Sequence, residues 1–358
     1  MNTYKATLGR AERLANDLRG LYESYGYAQY KMSKFEEYDL YAKNKSFLES
    51  GHIITFTDTD GKLMALKPDV TLSIIKNGKD TKDGIRKVYY NENVYRVPRG
   101  DVSYREIMQA GLECMGDIDA YCVVEVLSLA AKSLCEISED YVLDISDIDI
   151  VSSLIDELCA DEMQKREILN CIGEKNISAI KKLCGQESEA TDTLCALISM
   201  RGSTQEMLDI LKDKKCYGAA CGFARTVETL KAQFGNRIRI DFSVTDDTKY
   251  YCGIVFKGFV RSIPTAVLSG GRYDGLMRRM SKQGGAIGFA VYMDKIDALD
   301  DSKEEYDIDN FVLYCDTDSV EAVYAVTDEL VMSGESVLAG RAIPERLKYK
   351  KLIKVGET

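Results

Sequence analysis

The β-rich texture of residues 53–113 breaks off near residue 145, gives way to a proline-free helical pattern to about 232, and resumes at Arg237. A chain with strands on both sides of such a stretch predicts an α+β domain built on an antiparallel sheet and interrupted by a helical insertion. The acidic, proline-free stretch 297–309 reads as a linker. A short α/β unit follows, with a strand over 311–314 and a helix over 320–332. The domains are therefore expected at 1–300, with the insertion at about 145–232, and at 308–358.

Local patterns fill in the large domain. Leu8, Ala11, Leu14, Leu18, Leu21 and Tyr22 form one stripe of an amphipathic helix, with Arg10, Glu12, Asp17 and Arg19 on its other faces. Residues 53–58 and 62–66 are short β-rich runs joined by Thr59-Asp60-Gly61, a spacing suited to a hairpin. Val88 to Arg96 reads as a strand, and Val123, Val126, Leu127, Ala130 and Leu134 repeat at helical spacing after Gly116. Residues 237–244 alternate strictly, with Ile238, Ile240, Phe242 and Val244 facing one way, which predicts a strand with one wet face. No internal repeat or low-complexity tract appears.

Composition narrows the chemistry. With a formal net charge of −11, the chain lacks the overall positive field that draws nucleic acid or anionic membranes. The single histidine, His52, rules out a multi-histidine metal centre and is assigned to structure. None of the 11 cysteines forms a CxxC, and the closest pair, Cys216 and Cys221, has four residues between its members. Buried reduced thiols are expected. No run approaches the roughly 18 apolar residues that span a bilayer, and no leader pattern opens the chain, so a cytoplasmic location is expected.

Four segments carry candidate chemistry. Leu66 to Thr71 places Asp69 and Thr71 two residues apart at a strand end, on one side if extended. Val94 to Gly100 and Tyr104 to Glu113 form a strand, a Pro/Gly loop and a return strand that sets Gln109, Gly111 and Glu113 on one face. The others are Lys249 to Gly253, holding Tyr250 and Tyr251, and Ser269 to Gly275. Taken singly, Gly270-Gly271 reads as a turn or bulge, the tyrosine pair as packing, and Asp69 and Glu113 as solvated acids. The glycine segment is no Walker-type loop, since no GK[ST] follows. The basic run Arg346 to Lys351 reads as a solvated helix face.

In order and spacing, these segments resemble the catalytic domain of histidyl-tRNA synthetase and its non-synthetase paralogue, the ATP phosphoribosyltransferase regulatory subunit, over about residues 8–296. Gly26-Tyr27 to Phe35-Glu36 resembles class II motif 1, Arg96 to Glu113 motif 2, and Ala286 to Lys295 motif 3. Tyr250-Tyr251-Cys252-Gly253 and Gly271 to Gly275 are similar to the family's two histidine-specific signatures. The resemblance implies a class II aminoacyl-tRNA synthetase-like antiparallel sheet flanked by helices. It also implies a tail about half the length of the family's anticodon-binding domain.

Departures from the family pattern fall mainly on the nucleotide side. Pro98 stands where motif 2 has its glutamate, Asp246 where an arginine precedes the tyrosine pair, Lys295 where motif 3 ends in arginine, and Ser33 where motif 1 has proline. Loss of one aligned donor at an electrostatic site costs about two to three orders of magnitude in rate, and reversing a charge costs more. Arg96 and Lys295 are thus read as a vestigial nucleotide side, with no catalytic residue, metal or cofactor implied.

The amino-acid side is kept. By resemblance, Asp69, Thr71 and Gln109 face a ligand's α-ammonium, and Glu113, Tyr251, Tyr250 and Tyr273 its imidazole. Arg272, Arg96 or backbone amides stand as alternatives for its carboxylate. The resemblance therefore implies a non-enzymatic regulatory subunit that binds L-histidine and a short-form ATP phosphoribosyltransferase catalytic subunit, as a homodimer within a hetero-oligomer. The alternative is a divergent histidyl-tRNA synthetase.

Overall fold

The structure, a computed structural model, describes residues 9–45, 48, 52–78, 84–97, 103–159, 161–184, 188–200, 203–245, 250–297 and 306–356. It divides into two compact units, Leu14–Ile296 and a smaller one that holds the C-terminal residues from Asp297.

The first helix is α1 (Arg10–Ser24), which belongs to the larger unit from Leu14 onward and whose apolar stripe is buried at Leu14, Leu18 and Tyr22. After β1 (Ala28–Gln29) comes a small sheet of β2 (Phe35–Glu37), β3 (Thr55–Thr57) and β4 (Leu63–Leu66) in the order β2-β4-β3, with α2 (Tyr38–Lys43) between its first two strands. The hairpin expected over 53–66 forms: Thr55 pairs with Ala65, and Gly61 turns the chain at φ 84°. Helix α3 (Thr71–Asn77) follows at once.

Two long strands, β5 (Arg86–Arg96) and β6 (Arg105–Gly116), start the main sheet and lead into α4 (Ala120–Ile137). Asp119 caps α4 by accepting from the Cys122 amide at 2.8 Å. Strand β7 (Tyr141–Asp147) precedes the insertion helices α5 (Ile148–Leu158), α6 (Glu162–Gly173), α7 (Ile177–Leu183), α8 (Glu189–Ser199), α9 (Thr204–Leu211) and α10 (Tyr217–Phe234). The insertion thus begins after Asp147, and residues 145–147 belong to the sheet. Asp147 marks the change from strand to helix, because its carboxylate caps the Asp149 and Ile150 amides.

After β8 (Ile238–Ile240) come β9 (Ile254–Val260), β10 (Leu268–Arg272), α11 (Asp274–Arg279), β11 (Gly285–Tyr292) and α12 (Met293–Asp297). The eight-stranded sheet runs β1-β5-β6-β11-β10-β9-β7-β8. Its interior pairings are antiparallel as expected, but both edge pairings, β1 with β5 and β7 with β8, are parallel. The intervening helices supply the long crossover that a parallel partner needs between β7 and β8. The strand expected over 237–244 is cut to three residues. Asp241 diverts the chain by accepting from the Ser243 amide at 2.9 Å, although Phe242 and Val244 remain buried.

Lys67 is fully buried and donates to Glu92 Oε2 at 2.8 Å. Its carbonyl accepts from the Tyr95 amide at 2.9 Å, so this residue ties the segment between β4 and α3 to β5. Lys67→Ala leaves Glu92 without its cation, and is expected to cost about 3–5 kcal/mol in urea unfolding. A loss below about 1 kcal/mol would show that the pair is not a structural anchor.

The smaller unit contains β12 (Ile308–Leu313), α13 (Val320–Met332), β13 (Val337–Gly340) and β14 (Tyr349–Lys354), its strands parallel in the order β13-β12-β14. Phe311 and Val312 form its buried centre. The basic run 346–351 is not a helix face: Tyr349, Lys350 and Lys351 begin an edge strand, with the two lysines exposed. Most of the expected linker lies outside the described residues. Among the described residues, no helix is long and apolar enough to cross a membrane.

Candidate functional site

Strands β6, β11 and β10 lie side by side at the middle of the main sheet, with Glu113 opposite Gly288 and Gly288 opposite Gly271. A methyl group on Gly288 would come within 1.8 Å of Glu113 Oε2, and one on Gly271 within 2.6 Å of Tyr251 Cδ1. The bare backbones of two adjacent strands thus form the floor on which a carboxylate and a phenol ring rest. Gly270-Gly271 is therefore not a turn or bulge. It lies inside β10, paired on both sides, because the ring of Tyr251 occupies the space a side chain at Gly271 would need.

Above this floor is a cavity of about 610 Å³. Asp69, Thr71, Gln109 and Glu113 line it, together with Tyr250, Tyr251 and Tyr273. Arg96 and Lys295 line it too, so the two groups of residues expected from the sequence share one space. Its size falls within the roughly 300–1,000 Å³ of small-molecule sites.

Glu113 is at the centre of the polar network. Thr71 Oγ1 donates to its Oε1 at 2.7 Å, and the Tyr273 hydroxyl donates to Oε2. Only 2% of the residue is exposed, and burial pushes the carboxyl up to about 8 against the pull of those two hydroxyls, with the Asp69 charge adding to the rise. Glu113 thus holds its proton at neutral pH, and a cation brought beside it would favour the ionised form. Burial likewise pushes the hydroxyls of Tyr90, Tyr250 and Tyr273 well above the ordinary phenol range, so all three stay protonated. The rings pack closely, with centroids 4.8 Å apart for Tyr250 and Tyr251 and 5.7 Å for Tyr250 and Tyr273.

Asp69 and Thr71 are not in the extended segment expected of them. Thr71 is the first residue of α3, and Asp69 Oδ1 accepts from the Leu72 amide at 2.8 Å, a helix-capping contact that turns the chain. Both side chains still face the cavity because the turn sets them over the sheet.

Other expectations fall elsewhere. The Arg272 guanidinium is held by Asp274, Nε to Oδ2 at 2.8 Å, and is not part of the cavity lining, which removes it as a partner for the ligand carboxylate. His52 is exposed and outside the lining. Ser33 Oγ accepts from the Phe35 amide at 3.3 Å. Pro98, Arg99 and 246–249 lie outside the described residues.

The structure also adds residues that the sequence reading passed over: Tyr90, Lys257 and Tyr292 line the cavity, as does Ser269 of the glycine segment. Two-residue alternation along β5 carried the signal for Tyr90, which shares a face with Arg96. For Lys257 the signal was a single charge in the apolar run 254–260.

A family model described as Histidyl-tRNA synthetase matches residues 3–296. A protein of Clostridium acetobutylicum named ATP phosphoribosyltransferase regulatory subunit is 26% identical over 341 residues, covering 90% of this chain and 83% of that relative. Among solved structures, an ATP phosphoribosyltransferase regulatory subunit/histidyl-tRNA synthetase from Bacillus halodurans superposes with a TM-score of 0.79 at 21% identity, covering 96% of this chain and 93% of that one. The ATP phosphoribosyl transferase (HisG:HisZ) complex from Thermotoga maritima contains a chain that superposes with a TM-score of 0.63 at 19% identity, covering 79% and 97%. With its motif 3 segment folded as β11 and α12 beside the glycine floor, the chain belongs to the histidyl-tRNA synthetase family and, within it, resembles the proteins named ATP phosphoribosyltransferase regulatory subunit.

Proposed function

We propose that this chain is the non-catalytic regulatory subunit of an ATP phosphoribosyltransferase, which binds and activates a short-form catalytic subunit and carries histidine as the feedback signal. One observation supports the histidine part above all: Glu113 is buried, bonded to Thr71 and Tyr273, and lies in the same cavity as Asp69 and Gln109. An imidazole between that carboxyl and a tyrosine hydroxyl has both ring nitrogens satisfied, while Asp69, Thr71 and Gln109 offer acceptors to an ammonium. The names of the curated relatives support the regulatory part. A coupling of about 1–3 kcal/mol between the histidine site and the catalytic chain gives a 5–150-fold change in affinity. The same reading makes the protein a cytoplasmic homodimer within a hetero-oligomer, with 308–358 as a shortened counterpart of an anticodon-binding domain.

The test is reconstitution with a short-form catalytic subunit. Complex formation, a faster transferase reaction and its inhibition by histidine are expected; no complex and an unchanged rate would refute the regulatory role. The presence of Arg96 and Lys295 in the same cavity favours a second reading, a divergent histidyl-tRNA synthetase. Robust histidine-dependent ATP–pyrophosphate exchange by the purified chain would decide for it.

Histidine affinity should depend on pH through Glu113. The free imidazole titrates near about 6.5. Glu113 keeps its proton to about 8, so between these values ligand and site share one proton. Calorimetric affinity is expected to be highest in that window. Above about pH 8 it should fall up to tenfold per pH unit, as the shared proton is lost. An affinity flat from pH 6 to 10 would remove Glu113 from the ligand's contacts.

A further inference from the structure

The amino-acid reading of the cavity leaves a ligand's carboxylate unassigned. Three cationic side chains line the space: Arg96, Lys257 and Lys295. Lys295 Nζ donates to the Ala266 carbonyl at 2.6 Å and lies 4.7 Å from the centre of the Tyr292 ring. Arg96 pairs with Arg105, whereas Glu113 pairs with Val88. At about 3.4 Å per residue, that register puts the Arg96 backbone on the order of 25 Å along the strand from Glu113.

Lys257 is on the opposite side of the cavity, three strands across and two residues along from Glu113, with its backbone on the order of 16 Å away. The sheet register runs Gly111 to Ala290, Ala290 to Ser269, and Ser269 to Lys257, a single row across β6, β11, β10 and β9. This row is adjacent, on the same face, to the Glu113, Gly288 and Gly271 row, about 7 Å along the strands. Ala290 and Ser269 of this row are small and line the cavity, the Tyr90 ring lies over Gly111, and Lys257 is a half-buried side chain in the cavity wall, with Asp144 next along the row on β7. A ligand whose imidazole meets Glu113 and whose ammonium meets Asp69, Thr71 and Gln109 has those partners on β6 and on the segment that opens α3. Its carboxylate is then directed the other way along the row, toward β10 and β9.

The geometry points to Lys257 as the residue that binds the carboxylate of the amino acid in this cavity, with the Ser269 hydroxyl beside it as a second donor. The inference rests on the amino-acid reading of the site. An ammonium has three N–H donors, so Lys257 can hold a carboxylate alongside its protein contacts. The charge is thus supplied from a strand of the sheet instead of from the segment that holds Asp246.

Calorimetry on the full chain with L-histidine and with histamine, which lacks the carboxylate, separates the possible failures. The wild type is expected to prefer histidine about 10- to 100-fold, Lys257→Met to lose that preference with histamine binding changed less than about twofold, and Lys257→Arg to keep most of it. Lys257→Gln serves in place of Lys257→Met if circular dichroism shows that the methionine variant is unfolded. A preference that survives removal of the charge, or a wild type that binds both ligands equally, overturns the role of Lys257 and leaves the amino-acid site standing. A wild type that binds neither overturns the amino-acid reading itself, and this inference with it.

Discussion

Glu113→Gln is expected to abolish measurable histidine binding and, in the same protein, to raise the melting temperature of the unliganded chain at alkaline pH. Both effects come from burial. The folded chain holds the Glu113 proton to about 8, whereas the unfolded chain releases it near 4.5. The folded state thus binds more protons between those values, and stability falls as pH rises through the window. Below it both states are protonated and the residue costs nothing. At about 1.36 kcal/mol per pK unit, the penalty approaches about 5 kcal/mol near pH 8 and then levels off.

Glutamine keeps the shape and removes the penalty, because the hydroxyls of Thr71 and Tyr273 can rotate to suit an amide. The melting-temperature gain should therefore be near zero at pH 4.5, grow to pH 8 and stay constant beyond. Loss of a charge-assisted contact to the imidazole accounts for a fall in affinity of about 100-fold or more. Unchanged histidine affinity would refute the site assignment. A melting temperature lowered at every pH would show that the network around the carboxylate outweighs its desolvation.

The second large effect is expected from one methyl group. Gly288→Ala places a Cβ 1.8 Å from Glu113 Oε2 and 2.4 Å from the Leu112 carbonyl oxygen. The carboxylate must leave its bonds to Thr71 and Tyr273, and β6 and β11 must part locally. A loss of about 1–3 kcal/mol in stability is expected, with histidine binding undetectable. Gly20→Ala is the matching control: nothing lies within 4 Å of its added methyl on the exposed face of α1. There the same change should raise stability by about 0.5–1 kcal/mol. Normal histidine binding by Gly288→Ala would mean that the glycine floor does not seat the carboxylate.

The parts of the fold visible in the sequence are those fixed by short-range chemistry. The stripe of α1, the 53–66 hairpin with Gly61 at its turn, the inward face of β6 and the start of the helical insertion each follow from a local period or a capping side chain. Gln109 and Glu113 were legible because two-residue alternation puts them on one side of a strand. Asp69 and Thr71 were recognised as a pair but misplaced, since the capping bond from the Leu72 amide converts an apparent strand end into the start of a helix. Gly270-Gly271 was misread for a comparable reason. Two glycines suggest a turn when viewed alone, and only the ring of Tyr251 above them explains their place in a strand.

Lys257 marks the limit of local reading. Within its own strand it is one charge in an apolar run. Its importance comes from the register of three strand pairings, which brings residues 111, 290, 269 and 257 into line. The sequence by itself determined the family, the α+β class and several of the residues that line the cavity, because those signals lie in runs of a few adjacent positions. The tertiary structure alone decided that Glu113 holds its proton, that glycines on neighbouring strands form the floor beneath it, and which cations share its cavity. Burial and strand register bring together residues from distant parts of the chain, and no period along the sequence encodes either.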